Sequence, residues 1–462
     1  MHEFSIDGYT NAHSKHHWEP CGPTSRERAN AERSYGQEME RFVVCPAAPL
    51  AGTVEIQGAK NSALKLMAAS LLTTGTTRLH SVPDITDVHF MCEVLTAIGA
   101  EVRREDGGEL VITTPEVLTP IAPYELVEKM RASFVVLGPL LARHGFARVS
   151  LPGGDDFGHR PINMHLRALT ELGATFTTEH GYVEGHCDRL VGKEIALEFP
   201  SHTATDNVLM AAVTARGFTV IENAAREPEV QDLAEMLIAM GAKISGAGTS
   251  RIEIEGVDEL HPVIHRTIPD RIEVATFLVA VGLAGGTVTF NNARAEHMDM
   301  LLEKLVAMGM EIDRIDGAIK VASTGRLRSV DVATLPYPGV ATDYKPLLVT
   351  MLSVASGVAI ASENVFSGRF GYIDELRRMG ADITIEGHHA VVRGIERLSG
   401  APVRARDIRA GAALVLAGLV ADGCTEISGV EHIDRGYEHF VKKLRSIGVD
   451  ITRVQDGSRE PF

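Results

Sequence analysis

The feature of this sequence that most constrains its fold is a short pattern that recurs six times along the chain. In each copy a leucine is followed by two residues, a hydrophobic residue, a glycine and then an extended segment. The glycines lie 68 to 74 residues apart, at Gly99, Gly173, Gly241, Gly309, Gly380 and Gly448. A fixed period of this kind indicates a repeated supersecondary unit. Each copy predicts a helix that ends at the glycine and is followed by a strand.

Each unit also contains a second helix upstream of its glycine. This helix is apolar and leads into a β-branched strand, as in Ser62–Leu72 and Asp206–Ala215. The other four begin near Ala132, Ile272, Tyr344 and Ala410. Six such units exceed one ordinary core, so we expect two domains of three units each. Helices this apolar are expected to be buried and surrounded by sheet.

The starts of these second helices carry polar side chains. They are Lys60 with Asn61, Arg131, Ser201 with Thr203, Arg271, Asp343 and Arg409. A helix start has free N–H groups and a positive dipole end, and an added cation makes it an anion site. Any one of these cations could instead pair with a neighbouring carboxylate. Cations at four equivalent repeat positions favour a shared anion-binding cleft.

The overall charge limits which partners this cleft can serve. The formal net charge is −16, which argues against a nucleic-acid or anionic-membrane surface but not against a small anionic ligand. The longest apolar run, residues 346–361, is too short and too polar for a membrane span and predicts a buried helix followed by a strand. Residues 1–39 are polar and aperiodic, which predicts a disordered tail.

The cysteines and the amino-terminal residues bear on the compartment. The five cysteines are widely spaced and form no CxxC pair, so we expect neither a disulfide framework nor a zinc site. The first residues have no basic-then-apolar signal region. Together these features predict a reducing, cytoplasmic setting.

Several segments resemble the enolpyruvyl transferases. The match begins with Gly58–Asn61 and Leu151–Asp155 and runs from about residue 41 to about residue 455. Further matching segments are Met130–Ser133, Asn223–Glu229, Pro269–Glu273, Asp407–Ala410 and His432–Tyr437. The resemblance is greatest to the members that act on UDP-N-acetylglucosamine, because the shikimate-pathway members usually begin with a Gly-Ser-Lys-Ser type motif.

The resemblance implies an α/β fold of two inside-out α/β barrel domains, each with three of the six units of about 70 residues. One domain would contain residues 40–59 and 269–455, and the other residues 60–268 with a lid loop at 152–161. The chain would cross between the domains near Gly58–Lys60 and near Arg266–Pro269. The amino-terminal strand would then join the carboxy-terminal half.

The implied activity is transfer of the enolpyruvyl group of phosphoenolpyruvate to the 3-hydroxyl of UDP-N-acetylglucosamine, with release of phosphate. This is the first committed step of peptidoglycan precursor synthesis. It requires a base for the hydroxyl, an acid for C3 of phosphoenolpyruvate and a dense set of cations. Side-chain cations would hold the anionic groups, so the resemblance implies no metal and no cofactor.

The resemblance also assigns roles to individual residues. Asp343 corresponds to the base that activates the hydroxyl, although from the sequence alone it could simply cap the following helix. Lys60, Arg160 and Arg409 correspond to cations that hold phosphoenolpyruvate. The remaining substrate-binding positions are Asn61, Arg131, Asn163, Ser201, Arg271, Val365, Phe366 and Arg369. For Glu227, Glu229 and Arg271, pairing across the domain interface is an equal alternative. For Phe366 and Arg369, core packing and salt bridging are equal alternatives.

The lid carries Asp155 where many family members have a cysteine that protonates C3. A carboxylic acid can donate this proton if a closed, dehydrated site raises its pKa. The neighbouring Asp156 is an alternative donor. Because a carboxylate cannot form the thioether that fosfomycin forms with the cysteine, we expect this chain to be insensitive to fosfomycin.

Three departures from the family pattern lie on the acceptor side. Lys345 replaces a usual glutamine, Asn163 replaces an aspartate that binds uracil, and Ser201–Thr203 replaces a usual Ser-Val-Gly turn. Asn163 and Lys345 are expected to alter the charge that a nucleotide meets. An alternative acceptor is therefore another nucleotide, such as the 3′-hydroxyl of UMP in nucleoside-antibiotic synthesis. A catalytically silent binding protein is a third hypothesis, against which the retained Lys60, Arg160, Asp343 and Arg409 argue.

Overall fold

The computed structural model describes residues 40–154 and 161–455. Within residues 40–455 the chain forms one compact unit. The predicted disordered tail, residues 1–39, lies outside the described residues, as do residues 155–160 and 456–462.

Six inner helices form the centre of the structure and match the predicted apolar helices. They are Lys60–Ala69, Leu137–His144, His202–Ala212, Arg271–Ala284, Lys345–Leu352 and Ile408–Gly418. Every residue of the last helix is buried, and so is every residue from Arg271 to Gly282. Helices that are apolar on all sides must be covered on all sides, and the sheets provide that cover.

Six outer helices end at or just before the repeated glycines. They are Thr86–Ile98, Asn163–Glu171, Pro228–Ala239, Asp299–Met308, Ile373–Arg378 and Phe440–Ser446. All six glycines have φ between 91° and 116°, a left-handed conformation that favours glycine. Each glycine is followed by a strand, so the predicted helix–glycine–strand pattern is confirmed. Short helices lie at Tyr124–Val127 and Val430–Asp434 and 3₁₀ turns at Ser70–Leu72, Asp106–Gly108, Arg131–Val136, Ala295–His297 and Thr342–Tyr344.

Six four-stranded sheets share one topology. In each, one strand pairs in parallel with the strand after the inner helix, which pairs antiparallel with a third strand, which pairs antiparallel with a fourth. The third and fourth strands form a hairpin in five sheets; in the last they are Glu40–Val44 and Ile451–Gln455. In the amino-terminal half, the sheets contain Ile264–Arg266, Gly75–His80, Glu109–Thr114 and Glu101–Glu105; Ile121–Ala122, Phe146–Ser150, Tyr182–His186 and Thr175–Glu179; Glu194–Ala196, Phe218–Glu222, Arg251–Glu255 and Lys243–Ser245.

In the carboxy-terminal half, the sheets contain Leu50–Glu55, Gly286–Asn291, Ala318–Ser323 and Glu311–Ile315; Val332–Ala333, Val358–Ser362, His389–Arg393 and Asp382–Glu386; Pro402–Arg404, Thr425–Ser428, Glu40–Val44 and Ile451–Gln455. A two-stranded ladder joins Leu398–Ser399 to Ala421–Asp422. The prediction of a buried helix and a strand in residues 346–361 is confirmed, since Lys345–Leu352 is buried and Val358–Ser362 follows it.

Two exchanges of strands connect the halves of the chain. Leu50–Glu55 pairs with Gly286–Asn291, and Ile264–Arg266 pairs with Gly75–His80. Between these pairings Gly58 forms an antiparallel bridge with Pro269, which puts both expected crossing segments side by side. The strand Glu40–Val44 completes the last sheet, as expected for an amino-terminal strand that joins the carboxy-terminal half.

The buried apolar residues fall into two clusters. One extends from Phe42 to Ile56 and from Ile272 to Ile451, and the other from Ala63 to Leu260. These are the chain segments of the two expected domains, while the domain boundaries themselves stay a prediction. In the described part of the chain no helix is long and apolar enough to cross a membrane.

The expectation that no cysteines pair is wrong, because Cys45 and Cys424 form a disulfide. Val44 lies opposite Thr425 in the antiparallel ladder, so the adjoining cysteines face each other with their Cα atoms 4.2 Å apart. They are 379 residues apart in sequence, and no local spacing signals such a pair.

Candidate active site

Four inner helices begin at one cavity of about 500 Å³, and the 3₁₀ turns that precede the other two, Arg131–Val136 and Thr342–Tyr344, also line it. Its lining includes Lys60 and Asn61, Arg131, Ser201 and Thr203, Arg271, Asp343 and Arg409. Convergence of these starts concentrates free N–H groups and positive dipole ends in one place. The predicted shared cleft is therefore present in the structure.

The cavity is cationic although the chain is acidic. Among the described residues, seven lysines and arginines line it against three carboxylates. The cations are Lys60, Lys65, Arg131, Arg271, Arg369, Arg409 and Arg435, and the carboxylates are Asp87, Glu227 and Asp343. The chain-wide charge of −16 therefore does not describe this site.

Asp343 lies between two guanidinium groups in the cavity. Its Oδ1 accepts a hydrogen bond from Arg369 Nη1 at 2.7 Å, and its Oδ2 is 3.4 Å from Arg409 Nε. Burial alone would raise the pKa of Asp343, but Arg369 and Arg409 hold it well below its usual range. The helix-cap alternative is wrong, because the capping position is Ala341 and no side chain caps this turn.

Lys60 and Arg435 share a carboxylate that the sequence did not reveal. Lys60 Nζ is 2.5 Å from Asp87 Oδ2, and Arg435 Nε donates to Asp87 Oδ1 at 2.8 Å. The Lys60 N–H also donates to Asp270, whose side chain caps the helix that begins at Arg271. The Lys60–Asp270 hydrogen bond therefore connects the two places where the chain is expected to cross between the domains.

Arg271 forms an ion pair with Glu229, which is one of the two roles predicted for it. Its Nε and Nη2 lie 3.0 Å and 3.3 Å from the two oxygens of Glu229, and both side chains are buried. Burial would raise the pKa of Glu229, but Arg271 lowers it to about 2. Arg271 also lines the cavity, so the pairing does not remove it from the site. Burial raises the pKa of the neighbouring Glu227, which also lines the cavity.

A buried histidine supports the turn at Ser201. Ser201 caps the helix His202–Ala212, and Thr203 Oγ1 lies 3.2 Å from His165 Nε2. Burial lowers the pKa of His165 to about 3, so its ring is neutral. Its Nδ1 accepts from Asn207 Nδ2 at 3.1 Å, which leaves the Nε2–H to donate to Thr203.

Two of the expected acceptor-side changes lie outside this cavity. Lys345 is fully buried, 2.9 Å from Glu363 Oε2, so the expectation that it alters the charge met by a nucleotide is wrong. Its side chain extends into the protein interior because Glu363 compensates its charge there. Asn163 is exposed at the start of its helix and is not part of the cavity lining. Val365, Phe366 and Arg369 line the cavity, and their roles in substrate binding stay a prediction.

The lid residues Asp155, Asp156 and Arg160 lie outside the described residues. The described residues on either side, Gly154 and Pro161, both line the cavity. Arg131 Nη2 donates to the Pro161 carbonyl at 3.2 Å. The two ends of the expected lid therefore meet the candidate site.

Three buried groups at or behind the cavity were missed by the sequence interpretation: Asp87, His165 and Glu363. The side-chain partners of each come from other elements of the fold, and none of the three lies in a motif that the repeat pattern marks. In residues 40–154 and 161–455 no cluster of three or more His, Cys, Asp or Glu side chains could hold a metal ion.

Comparison with known proteins places the sequence among carboxyvinyl transferases. Residues 44–444 match the family model of EPSP synthase (3-phosphoshikimate 1-carboxyvinyltransferase). UDP-N-acetylglucosamine 1-carboxyvinyltransferase 2 of Carboxydothermus hydrogenoformans is 51% identical over 420 residues, which cover 90% of this chain and 100% of that protein. The UDP-N-acetylglucosamine 1-carboxyvinyltransferase of Corynebacterium jeikeium is 49% identical over 416 residues, or 90% of this chain and 99% of its own.

Solved structures share the fold. The enolpyruvyl transferase NikO from Streptomyces tendae has a TM-score of 0.82 at 25% identity, covering 90% of this chain and 99% of its own. An EPSP synthase from Acinetobacter baumannii has a TM-score of 0.70 at 20% identity, covering 90% of this chain and all of its own. The second likeness concerns the fold alone.

Proposed function

Since this chain belongs to the EPSP synthase family of enolpyruvyl transferases, we propose that it transfers the enolpyruvyl group of phosphoenolpyruvate to the 3-hydroxyl of UDP-N-acetylglucosamine. The observation that carries the proposal is Asp343, an ionised carboxylate held by Arg369 and Arg409 within a cavity of seven cations. Relatives about half identical over 90% of the chain have the corresponding name. The reaction supplies a precursor of peptidoglycan.

The cations bind the substrates. Lys60 and Arg409, together with Arg160 of the lid, hold the phosphate and carboxylate of phosphoenolpyruvate. Arg131 and the helix start at Ser201 face the diphosphate of the acceptor, and Asn61 and Phe366 face its sugar. Cations fixed in advance at buried helix starts stabilise the charge that develops on phosphate without reorganising.

The proton movements involve two carboxyl groups. Asp155 gives a proton to C3 of phosphoenolpyruvate, which makes C2 electrophilic, and the acceptor hydroxyl attacks C2 as Asp343 accepts its proton. The tetrahedral intermediate then loses phosphate from C2 and returns a proton from C3 to the Asp155 carboxylate, which regenerates the enol double bond. The lid protects these steps from water.

Substrate binding itself prepares the base. Arg369 and Arg409 hold the pKa of Asp343 well below its usual range, and a carboxylate with a low pKa is a weak base. When the phosphate of phosphoenolpyruvate engages Arg409, the guanidinium charge is shared with that phosphate. The pKa of Asp343 then rises, and the carboxylate becomes a better base only when the site is loaded.

The acceptor is tested by phosphate release from phosphoenolpyruvate with a panel of hydroxyl compounds. We expect release with UDP-N-acetylglucosamine and a product heavier by one enolpyruvyl group in mass spectrometry. Release with UMP alone would identify a specialised enzyme instead. No release with any acceptor would mean that the chain binds these ligands without turning them over.

The proposal includes a cytoplasmic location, where phosphoenolpyruvate and nucleotide sugars are made. The Cys45–Cys424 disulfide is unusual for such a compartment. Mass spectrometry of protein alkylated during cell lysis would show whether the pair is oxidised there. Complete alkylation of both thiols would agree with a reducing compartment.

A further inference from the structure

Behind the cavity wall, the Glu363 carboxylate accepts hydrogen bonds from five donors. The side chain is completely buried, with a relative exposure of 0%. Its Oε1 accepts from Thr334 Oγ1 at 2.7 Å and from the N–H groups of Val365 and Phe366 at 2.9 Å and 3.0 Å. Its Oε2 accepts from Thr342 Oγ1 and Lys345 Nζ, both at 2.9 Å. So many donors to one carboxylate fix its position closely.

Lys345 neutralises this carboxylate and extends the network. Its Nζ also donates to the Arg369 carbonyl at 2.6 Å and lies 3.8 Å from the centre of the Phe370 ring. The ammonium group is fully buried, so it has exchanged water for these partners. Lys345 therefore connects the helix that follows Asp343 to the segment that carries Arg369.

The network reaches the reacting groups in two short steps. Thr342 donates to Glu363 and accepts from Arg369 Nη1 at 3.1 Å, and the same Nη1 holds Asp343 Oδ1 at 2.7 Å. On the other side, the backbone of Val365 and Phe366 is bound directly by Glu363. Three stretches of the cavity wall thus depend on one buried ion pair: residues 342–343, residues 364–366 and Arg369.

We propose that the Lys345–Glu363 ion pair positions Asp343 against the acceptor hydroxyl and holds the Val365–Phe366 wall beside the acceptor sugar. The proposal rests on the proposed function and adds two positioning residues to it. Neither residue touches substrate. Displacing a reacting group by about 1 Å can cost a hundredfold in rate, so the fixing of this turn has consequences for turnover.

A purely structural role makes a different prediction. A buried ion pair contributes little net stability compared with a well-packed apolar or neutral pair, because both charges lose their hydration. If the pair serves stability alone, substitutions will change unfolding and leave the acceptor parameters of the folded enzyme unaltered. The Lys443–Glu273 pair, 2.7 Å apart with Glu273 also buried and away from the cavity lining, is the matched control.

The test compares Glu363→Gln, Lys345→Gln and the control Lys443→Gln with the unmodified protein. For each we measure kcat, the KM of each substrate and the unfolding midpoint. We expect Glu363→Gln to raise the KM of UDP-N-acetylglucosamine about tenfold and to lower kcat, because it weakens charge-assisted hydrogen bonds on the acceptor side of the site. The KM of phosphoenolpyruvate should stay within about twofold of its value in the unmodified protein. Lys345→Gln leaves the buried Glu363 carboxylate without a compensating charge and should raise the acceptor KM in the same direction as Glu363→Gln. Lys443→Gln should leave both KM values unchanged.

A pH profile provides a second measure. Burial lowers the pKa of Lys345 to about 8, and the positive charge of Arg369 lowers it further. The carboxylates of Glu363 and Asp407 oppose this shift. The ring of Tyr372 also faces the Lys345 ammonium group. As pH rises from 7 to 9 the ammonium loses its charge, so kcat/KM for the acceptor should decline in the unmodified enzyme. The decline should be absent in Lys345→Gln, which carries no titrating group there.

Structures of the variants separate failure of this proposal from failure of the proposed function. If the unmodified protein does not turn over UDP-N-acetylglucosamine, the acceptor assignment fails, and the Asp343–Arg369 contact in a Glu363→Gln crystal structure still reports on positioning. An unchanged contact, or equal effects of Glu363→Gln and Lys443→Gln on kinetics, would overturn the proposal. If Glu363→Gln does not fold, Thr342→Val removes only the hydroxyl link and must show the same shift in acceptor KM.

Discussion

At the scale of single residues, the candidate site depends on which of its charged side chains pair with one another. Asp343 is bound to Arg369 and Arg409, and Lys60 to Asp87. These carboxylates keep buried cations in place that would otherwise be expensive to leave without partners. Anionic substrates then compete for cations that are already oriented. The arrangement explains how an acidic chain can bind two anionic substrates.

Asp206 makes a residue-scale prediction about stability and pH. It is fully buried, and its nearest cation is Lys65 Nζ at 3.8 Å. The His202 ring, 3.5 Å away, is neutral because burial lowers its pKa to about 3. Burial raises the pKa of Asp206 to about 7 despite the opposing charge of Lys65. A raised folded-state pKa contributes stability below the unfolded value, near 4, and the contribution is lost as pH rises through 7. Asp206→Asn, which mimics the protonated form, should gain about 1–3 kcal/mol relative to the unmodified protein between pH 5 and pH 8.

Urea unfolding at the two pH values measures this difference. The stability advantage of the Asn variant should be smaller at pH 5 than at pH 8, because at pH 5 Asp206 is still protonated in the folded state. A stability difference that does not vary with pH would show that Asp206 remains ionised throughout.

The lid carboxylate makes a residue-scale prediction about inhibition. Asp155 has no thiol, so incubation with fosfomycin should leave the phosphate-release activity unchanged over time. Asp155→Cys should become sensitive and gain the mass of the inhibitor on the lid peptide. Time-dependent inactivation of the unmodified enzyme with a covalent adduct in residues 152–161 would refute the expectation.

At the scale of elements, close approach of the inner helices sets the geometry of their starts. A Cβ at Gly138 would lie 2.3 Å from the backbone oxygen of Asn207 in the neighbouring inner helix. The Gly138 N–H donates to Asn207 Oδ1 at 2.6 Å, and Asn207 in turn binds His165 under the Ser201 turn. The helix crossing and the acceptor side of the cavity are therefore coupled.

Gly138→Ala should accordingly destabilise the fold by about 1–3 kcal/mol, the usual effect of overpacking a tight core. Gly371→Ala is the control, because a Cβ there meets no atom within 4 Å and no strained φ is involved. Chemical unfolding of both variants tests the idea. Equal free energies of unfolding for Gly138→Ala and Gly371→Ala would mean that the inner helices can move apart to accommodate a methyl group without loss of stability.

The elements were largely predictable from the sequence, whereas the side-chain network was not. The marker glycines and the polar helix starts repeat locally, so a single chain reveals them. Asp87 and Glu363 gain their roles from partners brought close only by the folded chain. Lys345 is a further example of a side chain that the sequence did not place correctly. Its position two residues after Asp343 suggested that it faces the cavity, but its side chain pairs with Glu363 in the interior.

At the scale of the whole molecule, the first described strand pairs with strands from the last part of the described chain. The strand Glu40–Val44 pairs with Thr425–Ser428 and Ile451–Gln455, and the Cys45–Cys424 disulfide joins the same region. Cross-linking residues far apart in sequence restricts the unfolded chain, typically by about 2–4 kcal/mol.

Cys424→Ser should therefore lower the free energy of unfolding by an amount in that range. Added reductant should destabilise the unmodified protein to the same level and leave the variant unaffected. The control is Cys187→Ser, which removes a free thiol. A reductant effect equal in Cys424→Ser and the unmodified protein would contradict a stabilising disulfide.

The most direct test of the account is the turnover of Asp343→Asn with phosphoenolpyruvate and UDP-N-acetylglucosamine. The substitution keeps the shape of the side chain and removes the group that accepts the hydroxyl proton. We expect kcat to fall by about a hundredfold or more, as for loss of a general base, while calorimetric affinity for the acceptor changes by only a few fold. Turnover within a few fold of the unmodified enzyme would contradict the claim that Asp343 is the base of this site.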